Sequence, residues 1–344
     1  MRQIAIEEFL EQASRVPVFD VRSPGEFAQG HIPGAMSLPL FDDSERATVG
    51  TLYKQSSRDE AMLAGLEIAG SKMRRLVEQA RELTSERRVL IHCWRGGQRS
   101  QSVAWLLEFA GFEVSVLNGG YKAFRTAAMD ELANDRIQFL VLGGQTGSGK
   151  TDILHQLARL GEQVVDLEGL AQHKGSAFGW IGEQPQPTSE QFLNDLFLRL
   201  IKLDPSRPVW IENESRGIGR VFLTDPFAAR LRNGTLVNIQ VDLQSRVDRL
   251  IRMYAHSKAE LKASFEKIER KLGGQHLKAA LAALDQDDFA TATEIALVYY
   301  DKTYQHSLDR ANPPTMIEVD LGDSSVESAA ERLLELKNEI QAAI

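Results

Sequence analysis

The sequence predicts an α/β protein of two successive domains, each built around a mostly parallel sheet. Three observations carry that prediction. The chain has 344 residues, enough for two hydrophobic cores at roughly 100–200 residues per domain. Short apolar runs of β type alternate with amphipathic helical stretches in both halves. In each half one such run leads directly into a glycine-containing turn and a helix, the local order from which α/β folds build anion sites.

In the first half the runs 16–19, 35–38, 89–92 and 114–117 read as strands. The stretch 6–13 is a short amphipathic helix. The stretch 61–83 carries Leu63, Leu66, Leu76, Val77 and Leu83 at helical spacing. A further helix is expected over 100–109, opened by Ser100 at a capping position. The charged, helix-like stretch 126–136 then leads into the second half, and the boundary is placed within 128–137. The expected domains are therefore 1–130 and 137–344. In the second domain, strands are expected at 137–142, 163–167, 209–211, 236–241 and 316–319. Helices fall between them, and 326–344 reads as a closing amphipathic helix.

Composition narrows the chemistry. A single cysteine excludes an intramolecular disulfide and a Cys-rich zinc site, and suits a reducing compartment. No apolar run approaches the roughly 20 residues needed to cross a bilayer. The opening MRQIAIEEFLEQ does not read as a secretory signal, so a cytoplasmic protein without a membrane partner is expected. The 40 basic and 48 acidic residues give a net charge of −8, which by itself disfavours nucleic acid. The charge is segregated, however. Residues 243–278 hold nine basic and four acidic residues, whereas 279–344 hold four and thirteen. Within the basic stretch Arg246, Arg249 and Arg252 recur every three residues along one helix side. They could contact the phosphates of a bound nucleotide or an RNA backbone, or form a solvated face.

The cysteine lies in Ile91-His92-Cys93-Trp94-Arg95-Gly96-Gly97-Gln98-Arg99-Ser100. A strand, a short loop and a helix N-terminus in this order can turn backbone N–H groups toward an anion and favour a thiolate. Gly96 and Gly97 tolerate positive φ, and Arg95 and Arg99 bring fixed charge. A buried structural cysteine at a strand end is the plainer alternative.

After strand 137–142 comes Gly143-Gly144-Gln145-Thr146-Gly147-Ser148-Gly149-Lys150-Thr151. It satisfies G-x4-G-K-[ST] from Gly144 to Thr151 and is followed by an apolar helix. The amides around Gly144, Gly147, Ser148 and Gly149 would cradle phosphates, Lys150 would neutralise them, and the Thr151 hydroxyl is a candidate Mg²⁺ ligand. Glu212 or Glu214, at the end of strand 209–211, would supply the metal-side carboxylate. Asp166 and Glu168, ending another strand, compete for that role, and the plainer alternative for each of the four is a solvated strand-end acid. His173 lies in a glycine-flanked loop of the kind that faces ligand at the carboxyl end of an α/β sheet, or a plain surface loop.

Four segments of the first half resemble the rhodanese family: Phe19-Asp20-Val21-Arg22-Ser23-Pro24-Gly25-Glu26-Phe27, Gly30-His31-Ile32-Pro33-Gly34-Ala35, the Cys93 loop, and Val116-Leu117-Asn118-Gly119-Gly120-Tyr121. That resemblance implies a cysteine that handles sulfur or selenium. Arg99 departs from the common pattern by standing six residues after the cysteine, a C-x5-R spacing shared with tyrosine and dual-specificity phosphatases. The whole chain, through the Cys93 loop, the 143–151 turn, Asp166-Leu167-Glu168-Gly169-Leu170-Ala171, His173 and Glu212-x-Glu214-Ser215-Arg216-x-Ile218-Gly219, resembles the tRNA 2-selenouridine synthase family. The resemblance implies a transferase acting on tRNA that carries wobble 2-thiouridine, replacing sulfur by selenium. It implies selenophosphate and geranyl diphosphate as co-substrates, with Mg²⁺ at Thr151, and a selenophosphate-producing enzyme as a partner. Two alternatives remain: a C-x5-R phosphatase coupled to a nucleotide-binding domain, and a non-catalytic RNA-binding or regulatory nucleotide-binding protein.

Overall fold

The structure is a computed structural model that describes residues 1–342. It divides into two compact units, Met1–Glu131 with Leu193–Leu198, and Leu132–Phe192 with Arg199–Ile344.

The first half of the chain runs β1 (Arg2–Ile4), α1 (Ile6–Ala13), β2 (Val18–Asp20), α2 (Pro24–Gln29), β3 (Met36–Ser37), α3 (Asp43–Gln55), α4 (Arg58–Leu83), β4 (Arg88–His92), α5 (Gln98–Phe109), β5 (Glu113–Leu117) and α6 (Gly120–Ala133). Its sheet has the order β1-β5-β4-β2-β3, and every neighbouring pair is parallel. β4 is the central strand, and Val89, Leu90 and Ile91 along it are fully buried, as a strand covered on both faces requires. The Cys93 loop leaves its carboxyl end.

The second half runs β6 (Phe139–Gly144), α7 (Lys150–Arg159), β7 (Gln163–Val165), α8 (Leu167–Ala171), α9 (Ser189–Leu200), β8 (Val209–Glu212), β9 (Gly217–Ile218), β10 (Val221–Phe222), α10 (Asp225–Asn233), β11 (Thr235–Val241), α11 (Leu243–Tyr254), α12 (Lys258–Lys267), α13 (Glu269–Leu272), α14 (Gly274–Asp285), α15 (Phe289–Ala311), β12 (Met316–Gly322) and α16 (Val326–Ala342). The main sheet, β12-β11-β6-β8-β7, is again parallel throughout, with β6 at its centre. The glycine-rich turn leaves β6. In both units, then, the chemistry-bearing loop follows the middle strand at the carboxyl end of the sheet. One core lies between this sheet, α7 and α16, and a second, all-helical core forms among α11 to α15 with Phe178 and Ile181.

Several expectations are corrected. β1, α2, α3 and the antiparallel β9–β10 ribbon were not anticipated. β1 is three residues long and is fixed by pairing with β5, more than a hundred residues away. Ser100 is not a helix cap: α5 starts at Gln98 with Gly97 as its N-cap, and Ser100 is buried inside the first turn. The strand expected over 163–167 stops at Val165, because Asp166 caps α8 by accepting from the Gly169 amide. The helix expected over 126–136 begins earlier, at Gly120. The end of the closing helix, 343–344, lies outside the described residues.

Candidate functional site

Cys93 follows β4 and is 3% exposed. Its Sγ lies 3.2 Å from Ser100 Oγ, and that hydroxyl donates to the Gly97 carbonyl at 3.0 Å. The loop is shaped by close backbone approach. The Tyr121 and Lys122 amides donate to the Cys93 and Trp94 carbonyls at 2.8 and 2.9 Å. Gly96 has φ +65°, and a Cβ on Gly120, φ +59°, would stand 2.4 Å from both Cys93 O and Gly96 N. The Gly119-Gly120 turn therefore needs glycine to let the chain rest against the cysteine loop.

Beside the loop, Ser23 and Glu26 form a capping box that starts α2. Glu26 also accepts from Arg99 Nη1 at 2.6 Å. Arg99 is thus held by a carboxylate next to the loop, while Arg95 is exposed. Below, Asp20 and Arg22 make a buried ion pair, and Arg22 donates to Gly30 O at 2.7 Å and covers the Tyr121 ring at 3.9 Å. Burial opposes ionisation of Asp20, but His92 and Arg22 outweigh it and hold the carboxyl below the usual range.

In the second unit, Gly147 and Gly149 both have φ +82°, which lets the turn after β6 fold back toward α7. Lys150 Nζ donates to Gly144 O at 2.9 Å. Ser148 is 1% exposed, and its hydroxyl has no partner. Thr151 Oγ1 donates to Glu168 Oε2 at 2.9 Å. Glu168 in turn is hydrogen-bonded to Glu214, and two half-buried carboxyls so close share a proton. Burial, then the Glu168 charge, pushes Glu214 up to about 8, and burial raises Glu168 as well. A hydroxyl and two crowded carboxylates beside a phosphate loop are hard oxygen donors of the kind Mg²⁺ takes together with substrate phosphates.

The other acids have different places. Glu212 is fully buried and accepts from the Leu167 amide at 2.6 Å, and burial raises it well above the usual range. It fastens β8 to α8 and does not reach the loop's ligand side. Asp166 caps α8 and pairs with His155 Nε2 at 2.7 Å. His155 stands one helical turn after Thr151, on the same face of α7. Its spacing from the G-K-T signature was the available signal, and the sequence reading missed it. His173 is 8% exposed and packs against Gly219, away from the cavity described below. Burial lowers its pKa.

The basic helix α11 turns inward. Arg246 is 3% exposed, and it donates to the Thr146 carbonyl at 2.9 Å and to Gln145 Oε1 at 2.9 Å, and pairs with Asp301. An RNA-backbone contact and a solvated face are therefore both corrected for Arg246, whose guanidinium is spent on the turn itself. Arg249 Nη1 donates to Gly147 O at 2.8 Å, and its guanidinium lies over Gly149, leaving no room for a Cβ there. Arg252, on the same helix, is exposed and separate from the turn.

The phosphate loop opens into a cavity of about 920 Å³. One part of its wall is polar: Gly147, Lys150, Thr151, Glu168, Glu214 and Arg249. An apolar part comes from α11, α12, α14 and α15, including Met253, Leu261, Phe265, Leu284, Ala292 and Ala296, and further polar wall from His155, Asp166, Lys174, Glu183, Arg216 and Arg232. Tyr254 and Tyr300 also line it. A site with an anion cradle at one end and a hydrocarbon-lined arm at the other fits a ligand with a phosphate head and an apolar tail.

Comparison with known proteins agrees with this division. A family model described as the tRNA 2-selenouridine synthase AAA domain matches residues 137–331, and a rhodanese-like domain model matches 5–127. A tRNA 2-selenouridine synthase of Nitrosomonas europaea is 40% identical over 246 residues, spanning 69% of this chain and 63% of that one. That of Bdellovibrio bacteriovorus is 34% identical over 345 residues, spanning 86% and 89%. That of Shewanella loihica is 36% identical over 335 residues, spanning 87% and 88%. Among the described residues no helix is long and apolar enough to cross a membrane.

Proposed function

Because the chain belongs to the tRNA 2-selenouridine synthase family, we propose that it replaces the sulfur of wobble 2-thiouridine in tRNA by selenium, in two steps. In the first, the thiocarbonyl sulfur attacks C1 of geranyl diphosphate. The C–S bond forms, the C1–O bond breaks with its electron pair on the diphosphate, and the base loses its N3 proton. In the second, the selenium of selenophosphate adds at C2, the geranylated sulfur leaves as a thiolate that takes up a proton, and water cleaves the Se–P bond to release phosphate. Alkylation matters because an S-alkyl thiolate is a far better leaving group than sulfide.

The observation that carries the first step is the continuity of the phosphate loop with the apolar arm. The apolar residues Leu261, Phe265, Leu284 and Ala292 in the same lining favour a donor with a hydrocarbon part. The amides of 147–151 and Lys150 would hold the diphosphate and stabilise the charge that grows on it. Thr151, Glu168 and Glu214 would hold Mg²⁺, whose charge also favours diphosphate departure. Asp166 and His155, paired at the cavity wall, would take the N3 proton.

The second step belongs to the Cys93 loop. Selenium in selenophosphate is already at the selenide level, so the loop, with Arg95 at its side, has an anion to hold rather than a redox change to perform. Cys93, beside Ser100 at the base of the loop, would help hold that anion in place and would form no bond to selenium. Exposed Arg252 would meet the tRNA backbone. The test is transfer from geranyl diphosphate to thiolated tRNA by a Lys150→Ala variant. Intact transfer would remove the diphosphate from the phosphate loop.

A further inference from the structure

α5 turns an aromatic pair outward. Gln98, Ser102, Trp105 and Phe109 recur at four-, three- and four-residue spacing, so they share one side of the helix, and all four are exposed. Trp105 is 58% exposed and Phe109 82%, and their rings stack with centroids 6.0 Å apart and planes 18° from parallel. Such a pair supports its own helix only slightly, and most of both rings stays in water.

The surroundings are polar and basic. α5 starts at the Cys93 loop, where Gln101 Nε2 donates to Gly96 O at 3.3 Å. Trp94, in that loop, is 38% exposed. Exposed Arg95 precedes Gln98 by three residues, a reach of at most about 11 Å. Lys122 is exposed too, and its amide donates to the Trp94 carbonyl at 2.9 Å. The one acid of α5, Glu108, is half-buried. Along the helix axis Trp105 stands about 10 Å from Gln98, and Phe109 about 16 Å. The surface thus passes from cations at the loop, through an amide and a hydroxyl, to two stacked rings. Unpaired nucleotides fit that order, because bases stack on aromatic faces while phosphates meet cations. Two rings of about 150–250 Å² each fall short of the roughly 800 Å² per side of a stable protein interface.

We propose that the outer face of α5 is a stacking platform for unpaired anticodon-loop nucleotides of tRNA, with Trp105 and Phe109 taking bases near the wobble nucleotide while that nucleotide reaches the Cys93 loop. This rests on the reading of the chain as an enzyme of wobble 2-thiouridine, which lies in that loop.

The experiment measures binding of thiolated tRNA, its isolated anticodon stem-loop and an acceptor-stem minihelix to the wild-type chain, Trp105→Ala, Trp105→Phe and Phe109→Ser. Trp105→Ala and Phe109→Ser are each expected to weaken stem-loop binding by about fivefold to a hundredfold, the scale of one lost base stack, and to leave the minihelix unaffected. The slope of affinity against salt should not change, because no phosphate contact is removed. Trp105→Phe keeps a ring and should restore most of the binding. Tryptophan fluorescence should be quenched by the stem-loop more strongly in the wild type than in Trp105→Phe. If the alanine variant does not fold, that difference in quenching decides. Stem-loop affinity within about twofold of wild type in the folded variants, or equal quenching, overturns the platform. So does intact tRNA binding with loss of self-association or of binding to a selenophosphate-producing enzyme, which would make the face a protein contact. A wild-type chain that binds no thiolated tRNA overturns the tRNA reading itself, a distinguishable result.

Discussion

Thr151 Oγ1 donates to Glu168 Oε2 at 2.9 Å, and so ties the end of the phosphate loop to the first turn of α8. Through Glu168 the hydroxyl is linked to Glu214, which follows β8, the strand between β6 and β7. One hydrogen bond therefore links the phosphate loop to two acids of the cavity wall.

Lys150 would be the fixed positive charge at the diphosphate. Replacing it with alanine removes one charge-assisted contact to the leaving group, worth about 3–4 kcal/mol, so geranyl transfer is expected to fall by roughly 10²–10³-fold. Mass spectrometry of the digested tRNA reads the loss. Selenium incorporation into tRNA that has been geranylated beforehand should survive the same substitution.

The two steps should also separate from the other side. Gly120→Ala drives a Cβ into Cys93 O and Gly96 N, both at 2.4 Å, and at a φ that alanine resists. This variant and Cys93→Ser are expected to accumulate geranylated nucleoside and form little selenouridine. Selenouridine at the wild-type rate in both variants would mean that the loop takes no part.

Glu214 predicts a pH dependence of stability in the metal-free protein. Its folded value of about 8 lies above the ordinary 4.5, so the folded state binds the extra proton between those values. Stability is then greatest at the acid end of the window and falls as pH rises from about 4.5 to 8. Glu214→Gln should flatten that slope. Denaturant midpoints across the window check it, and an unchanged slope in the variant would remove Glu214 as its source.

Arg246 and Arg252 should behave differently although they share a helix. Arg246→Ala strands Asp301 and frees the Thr146 carbonyl, so about 3 kcal/mol of stability and most donor binding should be lost. Arg252→Ala should leave stability within about 0.5 kcal/mol. It should also weaken tRNA binding and reduce the salt slope by about one. Calorimetry and binding titrations at several salt concentrations separate the two.

Both loops could be read from the sequence because each is a run of consecutive residues whose backbone does the work. Cys93 to Ser100 and Gly144 to Thr151 carry their glycines, cations and hydroxyls in order. The apolar arm could not. Its walls come from α11, α12, α14 and α15, and each of those helices reads alone as an ordinary amphipathic surface. The charge pattern misled for a related reason. Arg246 looks solvated until Asp301, 55 residues on, turns it inward. Ser100 looked like a cap because it precedes an apolar stretch, yet its hydroxyl is used beside Cys93. His155 and Asp166 meet across 11 residues, a pairing that needs α7 and α8 both to be in place.

The central claim is that one chain both geranylates wobble 2-thiouridine and exchanges the alkylated sulfur for selenium. Its most direct test incubates the protein with 2-thiouridine tRNA and weighs the nucleoside by mass spectrometry. With geranyl diphosphate alone, the mass should rise by one geranyl group. On adding selenophosphate, that species should give way to 2-selenouridine. A nucleoside unchanged under every combination of the two donors would contradict the claim.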